Sequence, residues 1–148
     1  MATTPNSVIT AQTPYAVTAS LAAVTACTTR GPTATASLAG ANIVAFVPTS
    51  TNGRRIDTIS IKGDSTSFTA ATAVQTVTIW MHDGTTAYTI KEVVTTLVTP
   101  STIVASYESG PIPLNITLPA AFSLYMSTSI TTTAATTALA VSAFGADL

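Results

Sequence analysis

His82 is the only histidine in this 148-residue sequence, and Asp83 follows it directly. A carboxylate that orients an imidazole beside one of the many serines would be the chemistry of a small hydrolase. The two residues, however, end one strand-like run and open a turn, and adjacent residues of a strand point to opposite faces. The pair reads as turn punctuation, and no catalytic residue is assigned. Asp57, Asp64, Glu92 and Glu108 lie on separate segments and match neither a calcium loop nor a glycosidase pair. One histidine without a carboxylate pair beside it falls short of a metal site. Cys27 is the only cysteine, so neither an intrachain disulfide nor a cysteine cluster is available. Nothing basic flanks it before Arg30, and it reads as a small buried hydrophobe rather than a reactive thiol. The phosphate-cradling patterns GxGxxG and GxxxxGK[ST] are absent. No metal and no cofactor are expected.

The elements that would position these residues read as strands. Charged residues make up 7% of the chain, against roughly 25% in ordinary soluble proteins. Threonine, alanine and serine take their place, and β-branched threonine suits a pleated, half-exposed surface. From Tyr15 to Cys27 the pattern alternates and predicts one long strand or two short ones, although its alanines also permit a helix. Thr28 to Gly40 carries Gly31, Pro32 and Gly40 and predicts a loop.

Two hairpins follow. Ala41–Val47 and Arg54–Gly63 flank Asn52-Gly53, whose residues tolerate the positive φ of a type I′ turn. A two-residue turn there sets Phe46 opposite Ile59 and Val44 opposite Ile61. Ala73–His82 and Thr85–Val98 flank Asp83-Gly84, and a two-residue turn sets Ile79 opposite Tyr88 and Val77 opposite Ile90. Val74 and Val93 would meet on the other face. A four-residue loop would keep these faces and a three-residue loop would exchange them. TIVASYE, PLNITLP, AFSLYMS and ALAVSAFG continue as short apolar pieces, while Thr128 to Thr137 is too polar for core and is expected to be exposed or interfacial. The expectation is an all-β chain: a jelly-roll-like antiparallel β-sandwich of about eight strands over residues 15–148, preceded by an extended arm over residues 1–14.

Five basic and six acidic side chains leave a net charge of −1, which offers no footprint for a phosphate backbone or anionic lipid. Mean hydropathy is +0.49, yet threonine and serine interrupt every apolar run well short of the roughly 18 residues a spanning helix needs. Neither nucleic acid nor membrane is expected as a partner, and the N-terminus has no basic and hydrophobic signal for secretion. A surface so poor in charge is better suited to contact with other subunits than to solvation alone. Contact residues are therefore sought in the arm, at Pro5, Val8, Ile9 and Pro14, and in Arg54, Arg55 and Trp80. The two arginines either grip a neighbour's carboxylate or form a solvated hairpin tip. Trp80 either fills a second apolar layer or anchors an interface.

The stretches TNGRRIDTISIKG, TVTIWMHDGTTAYTIKEVVTT and PLNITLPAAFSLYMSTS, in that order, resemble a group of tailed-phage structural proteins, the capsid decoration or cement proteins. The likeness lies in an Asn-Gly-Arg-Arg-Ile turn, a Trp-containing strand ending in His-Asp-Gly, a Lys-Glu pair and an LPAxxSL turn, and it covers roughly Ala41 to Leu148. It implies a jelly-roll-like sandwich on the outer surface of the virion capsid, assembled in the bacterial host cytoplasm. Its partners would be the major capsid protein and copies of itself, as a dimer or trimer. The competing expectation is a phage tail or fibre accessory, or a carbohydrate-binding sandwich using Tyr107, Tyr125 and Trp80.

Overall fold

The chain crosses between two facing sheets at most of its connections. The computed structural model describes residues 13–34, 42–67 and 69–148. Among them are nine strands and no helix: β1 (Thr13–Ser20), β2 (Thr33–Ala34), β3 (Val44–Val47), β4 (Arg54–Gly63), β5 (Gln75–His82), β6 (Thr86–Thr95), β7 (Ile112–Leu118), β8 (Ser123–Thr128) and β9 (Leu139–Asp147). One sheet has the order β1-β9-β4-β7 and the other β2-β6-β5-β8-β3, and every pairing is antiparallel. The β-sandwich expected from the sequence is thus the architecture. Thr13 and Pro14, expected in the arm, already belong to β1, and TIVASYE forms only isolated bridges, at Val104 and Glu108.

Alternation explains the core. Tyr15, Val17 and Ala19 of β1 lie opposite Gly145, Ala143 and Val141 of β9 and face inward, while Pro14, Ala16, Thr18 and Ser20 stay exposed. From the other sheet Val77, Ile79, Leu124, Met126 and Phe46 meet them. In β4 the buried residues run Arg54, Ile56, Ile59 and Ile61. The step of three between the first two isoleucines would break a strict period of two. A bulge at Asp57 supplies the extra residue and returns Ile59 to the core.

The first predicted hairpin is corrected. β3 and β4 are not paired: β3 pairs with β8 in one sheet, and β4 lies between β7 and β9 in the other. Phe46 and Ile59 are both buried, but from facing sheets and not side by side. Of Asn52 and Gly53 only the glycine has positive φ, at 91°, so the type I′ turn that would return the chain alongside β3 does not form. A Cβ on Gly53 would stand 2.7 Å from the Leu118 carbonyl oxygen, so this glycine serves a close crossing of backbones.

The second hairpin forms with a different register. Four residues, 83–86, separate the last paired positions of β5 and β6, and His82, Met81 and Trp80 pair with Ala87, Tyr88 and Thr89. A bulge at Ile90 then sets Ile79 opposite Lys91 and Val77 opposite Val93, in place of Tyr88 and Ile90. Val74 precedes the strand and is exposed. The expected faces of β5 survive because the loop is longer by an even number: Val77 and Ile79 are in the main core, and Trp80 is on the other face.

Candidate functional site

Beyond the β5 strand end the His82–Asp83 pair is occupied by the turn. Asp83 Oδ1 accepts hydrogen bonds from the Thr85 and Thr86 backbone N–H groups at 2.8 and 2.7 Å. His82 is buried, meets Tyr125 edge-on at 5.3 Å between ring centroids, and accepts from the Gly84 N–H at its Nδ1. The carboxylate thus orients the loop backbone. The donors from Thr86 and then Thr85 hold the Asp83 carboxyl below its ordinary range. A lowered carboxylate contributes stability above its unfolded pKa and loses it as pH falls through the folded value. Asp83→Asn should therefore flatten the loss of stability below about pH 4, read as urea midpoints across that range. Identical acid limbs for the two proteins would refute the capping role.

Among the sequence candidates, Arg54 sits in the best-built polar cluster. It faces inward at the end of the sandwich where β4 and β9 run side by side, so its Cα partner in β9 is Asp147. Arg54 Nε lies 2.6 Å from Asp147 Oδ1, and an Nη1 hydrogen donates to the Pro48 carbonyl at 2.9 Å. Its guanidinium stacks 3.6 Å above the centre of the Tyr15 ring, a favourable placement of cation over π face. Burial pushes the Tyr15 phenol up, with Arg54 opposing and Asp147 adding to the rise. The reading of Arg54 as a grip on a neighbour is corrected: its side chain is spent on the chain's own carboxylate, carbonyl and aromatic ring. Arg55, on the outer face, remains half-exposed and pairs with Asp57 of the same strand.

Trp80 is fully buried and donates its indole N–H to Ser127 Oγ at 2.9 Å. With Cys27, Ala87, Ile43 and Tyr125 it forms a second apolar cluster on the outer side of its sheet. The second-layer reading of Trp80 is the one the structure shows, and the indole is not available as an interface anchor. Cys27 is buried as expected. Pro14 is exposed on edge strand β1, while Pro5, Val8 and Ile9 lie outside the described residues. The polar segment 128–137 is corrected at two positions: Thr128 is buried in β8, and Thr132 is buried with its Oγ1 accepting from the Val24 N–H.

The aromatic residues considered for a carbohydrate platform are not assembled into one. Trp80 and Tyr125 belong to the second cluster, and Tyr107 packs against the main core. A hollow of about 470 Å³ lies between the β4–β5 and β6–β7 connections and is lined by Ser65, Ser67, Ser101, Thr102, Ser106 and aliphatic groups. Among the described residues its lining offers hydroxyls and no titratable side chain beside them. Among the described residues no group of three or more His, Cys, Asp or Glu could hold a metal ion, and no helix is long and apolar enough to cross a membrane.

What could not be read from sequence is the partnership at Arg54. Asp147 lies 93 residues away and Tyr15 comes from a third strand, so no local spacing announces them. Comparison with protein-family models, curated proteins and solved structures returns no match.

Proposed function

We propose that this chain is a virion structural protein that binds the outer surface of a tailed-phage capsid and stabilises the shell by bridging major capsid protein subunits. The observation that carries this reading is the surface. Val94, Leu97 and Ile103 expose 62%, 64% and 92% of their area, on a chain with only five basic and six acidic side chains. Such a surface favours burial against other subunits over solvation. The ordered motifs that resemble decoration proteins point the same way. Leaving out two-residue β2, the sheet orders β1-β9-β4-β7 and β6-β5-β8-β3 support reading the sandwich as a jelly roll.

In this role the protein is no enzyme and needs no cofactor. Its partners are the capsid protein and its own copies, and its place is the capsid surface of particles assembled in the host cytoplasm. Weak individual contacts suffice, because many copies act on one continuous shell. The test is location: antibody against the purified chain, applied with gold label to particles from the source, should decorate heads in a regular pattern. Label confined to isolated tails or fibres would overturn the capsid reading in favour of a tail or fibre accessory.

A further inference from the structure

The Asn52-Gly53 pair, which makes no hairpin turn, is left with a chemistry of its own. Asparagine is thermolabile because the backbone nitrogen of the next residue can attack its side-chain carbonyl carbon and close a cyclic imide. Glycine in the next position has no Cβ to hinder that approach. The structure assigns Asn52 as the site at which this chain deamidates from its folded state, by attack of the Gly53 nitrogen on Asn52 Cγ. The step needs only water and solvent base. Base removes the Gly53 amide proton, the bond from the Gly53 nitrogen to Cγ forms, and the Cγ–Nδ2 bond breaks with release of ammonia. Water then opens the imide at Cγ to give aspartate, or at the backbone carbonyl to give isoaspartate, in which the main chain runs through the former side chain.

Two X-Gly pairs show why this one is open. Asn52 is exposed in the connection from β3 to β4. Among the described residues none holds its side-chain amide and none accepts from the Gly53 N–H, while the Gly53 carbonyl accepts from the Leu148 N–H at 3.3 Å. At Asp83-Gly84, by contrast, the Gly84 N–H donates to His82 Nδ1 at 3.3 Å, and Asp83 Oδ1 is fixed by the Thr85 and Thr86 N–H groups. Those donors also keep the carboxyl ionised, and an ionised carboxylate resists attack by a nucleophile. Asn42 and Asn115, the other described asparagines, each precede an isoleucine whose branched Cβ crowds the attacking nitrogen. Asn42 Nδ2 in addition donates to the Ala26 carbonyl at 2.9 Å.

The place of the pair decides what the change does. Gly53 is buried, at the crossing where a Cβ would stand 2.7 Å from the Leu118 carbonyl oxygen. Isoaspartate adds a methylene group to the main chain directly before this crossing. It also precedes Arg54, whose contacts with Asp147, Pro48 and Tyr15 anchor the start of β4. The lengthened backbone, and not the new charge, should therefore loosen this end of the sandwich. This inference concerns the isolated chain and stands apart from the capsid reading, which is tested on particles.

The test is to hold the folded full chain for several weeks in warm, mildly alkaline buffer and map its peptides by mass spectrometry, with enzymatic methylation marking isoaspartyl groups. The Asp83→Asn variant carries an Asn-Gly pair at both places and gives an internal comparison. Position 52 should convert at least about tenfold faster than position 83, the worth of one protecting hydrogen bond, and the two rates should converge in urea. Isoaspartate-bearing chains, separated by ion exchange, should unfold at a urea midpoint lower by on the order of 0.5 M, while fresh Asn52→Asp, which adds the charge alone, should match the parent. Asn52 unchanged in the folded chain, equal rates at positions 52 and 83, or conversion of Asn42 or Asn115 as fast as Asn52 would overturn the assignment. A difference between positions 52 and 83 that persists in urea would overturn it too, because local sequence would then set the rates. An isoaspartate form as stable as the parent would overturn the consequence for β4.

Discussion

Gly145→Ala should cost about 3 kcal/mol or more of folding stability, although it adds one methyl group. Gly145 lies in β9 opposite Tyr15 on one side and Ile56 on the other, where the bulge at Asp57 draws β4 close. A Cβ there would stand 1.9 Å from the Arg55 carbonyl oxygen and 2.8 Å from its carbonyl carbon. These are backbone atoms of a central strand, and no side chain can swing aside to relieve the contact. The sheet must part or the bulge must shift, and either loosens the ladder that carries Arg54 and Ile56. For a domain of this length the loss corresponds to a fall in Tm of roughly 6–12 °C. Thermal and urea unfolding of the variant measure it. A change under about 0.5 kcal/mol, the level of an ordinary surface substitution, would show that the close approach of β4 and β9 is not a constraint.

Arg54→Met is expected to have the next largest effect, about 2–4 kcal/mol. Methionine keeps an unbranched apolar stem out to the position of the arginine Nε, so the loss reports chiefly on the guanidinium. Its removal leaves the Asp147 carboxylate, whose side chain is 35% exposed, without its cation. It also leaves the Pro48 carbonyl without this donor and uncovers the Tyr15 ring. The cost falls below that of a wholly buried pair because water still reaches Asp147. A double variant, Arg54→Met with Asp147→Leu, should recover a large part of the loss, since it removes the stranded charge as well. If the double variant is no more stable than Arg54→Met, the ion pair is not the source of the effect.

The strand periods were legible in the sequence because burial imposes alternation on each strand separately. That is enough to identify a sandwich and to place Val77 and Ile79 on one face of β5 with Trp80 on the other. Pairing was legible only where turn chemistry decides it, at Asp83-Gly84, and even there the carboxylate cap on Thr85 and Thr86 lengthened the loop and moved the register. Asn52-Gly53 misled for a physical reason. A positive-φ glycine serves a tight turn and a close backbone crossing equally well, and here it serves the second. Arg54 was legible as a residue to watch and not as a structural one, because Asp147 and Tyr15 reach it through strand order, which period does not encode.

The strand order also governs how the chain must fold. Among the described strands only β5 and β6 pair across a short loop, whereas β1 pairs with β9 over separations such as Thr13 to Asp147, and β4 waits for both β7 and β9. Closing such distant contacts first costs chain entropy, so folding should run in milliseconds to seconds and not microseconds. During synthesis the β5–β6 hairpin can form early, but β1 has no strand to pair with, and β4 lacks one of its two neighbours, until residues 139–147 have emerged. Until then the apolar stripe of β4 stands open, and the nascent chain is most exposed to aggregation in the interval before β9 is delivered.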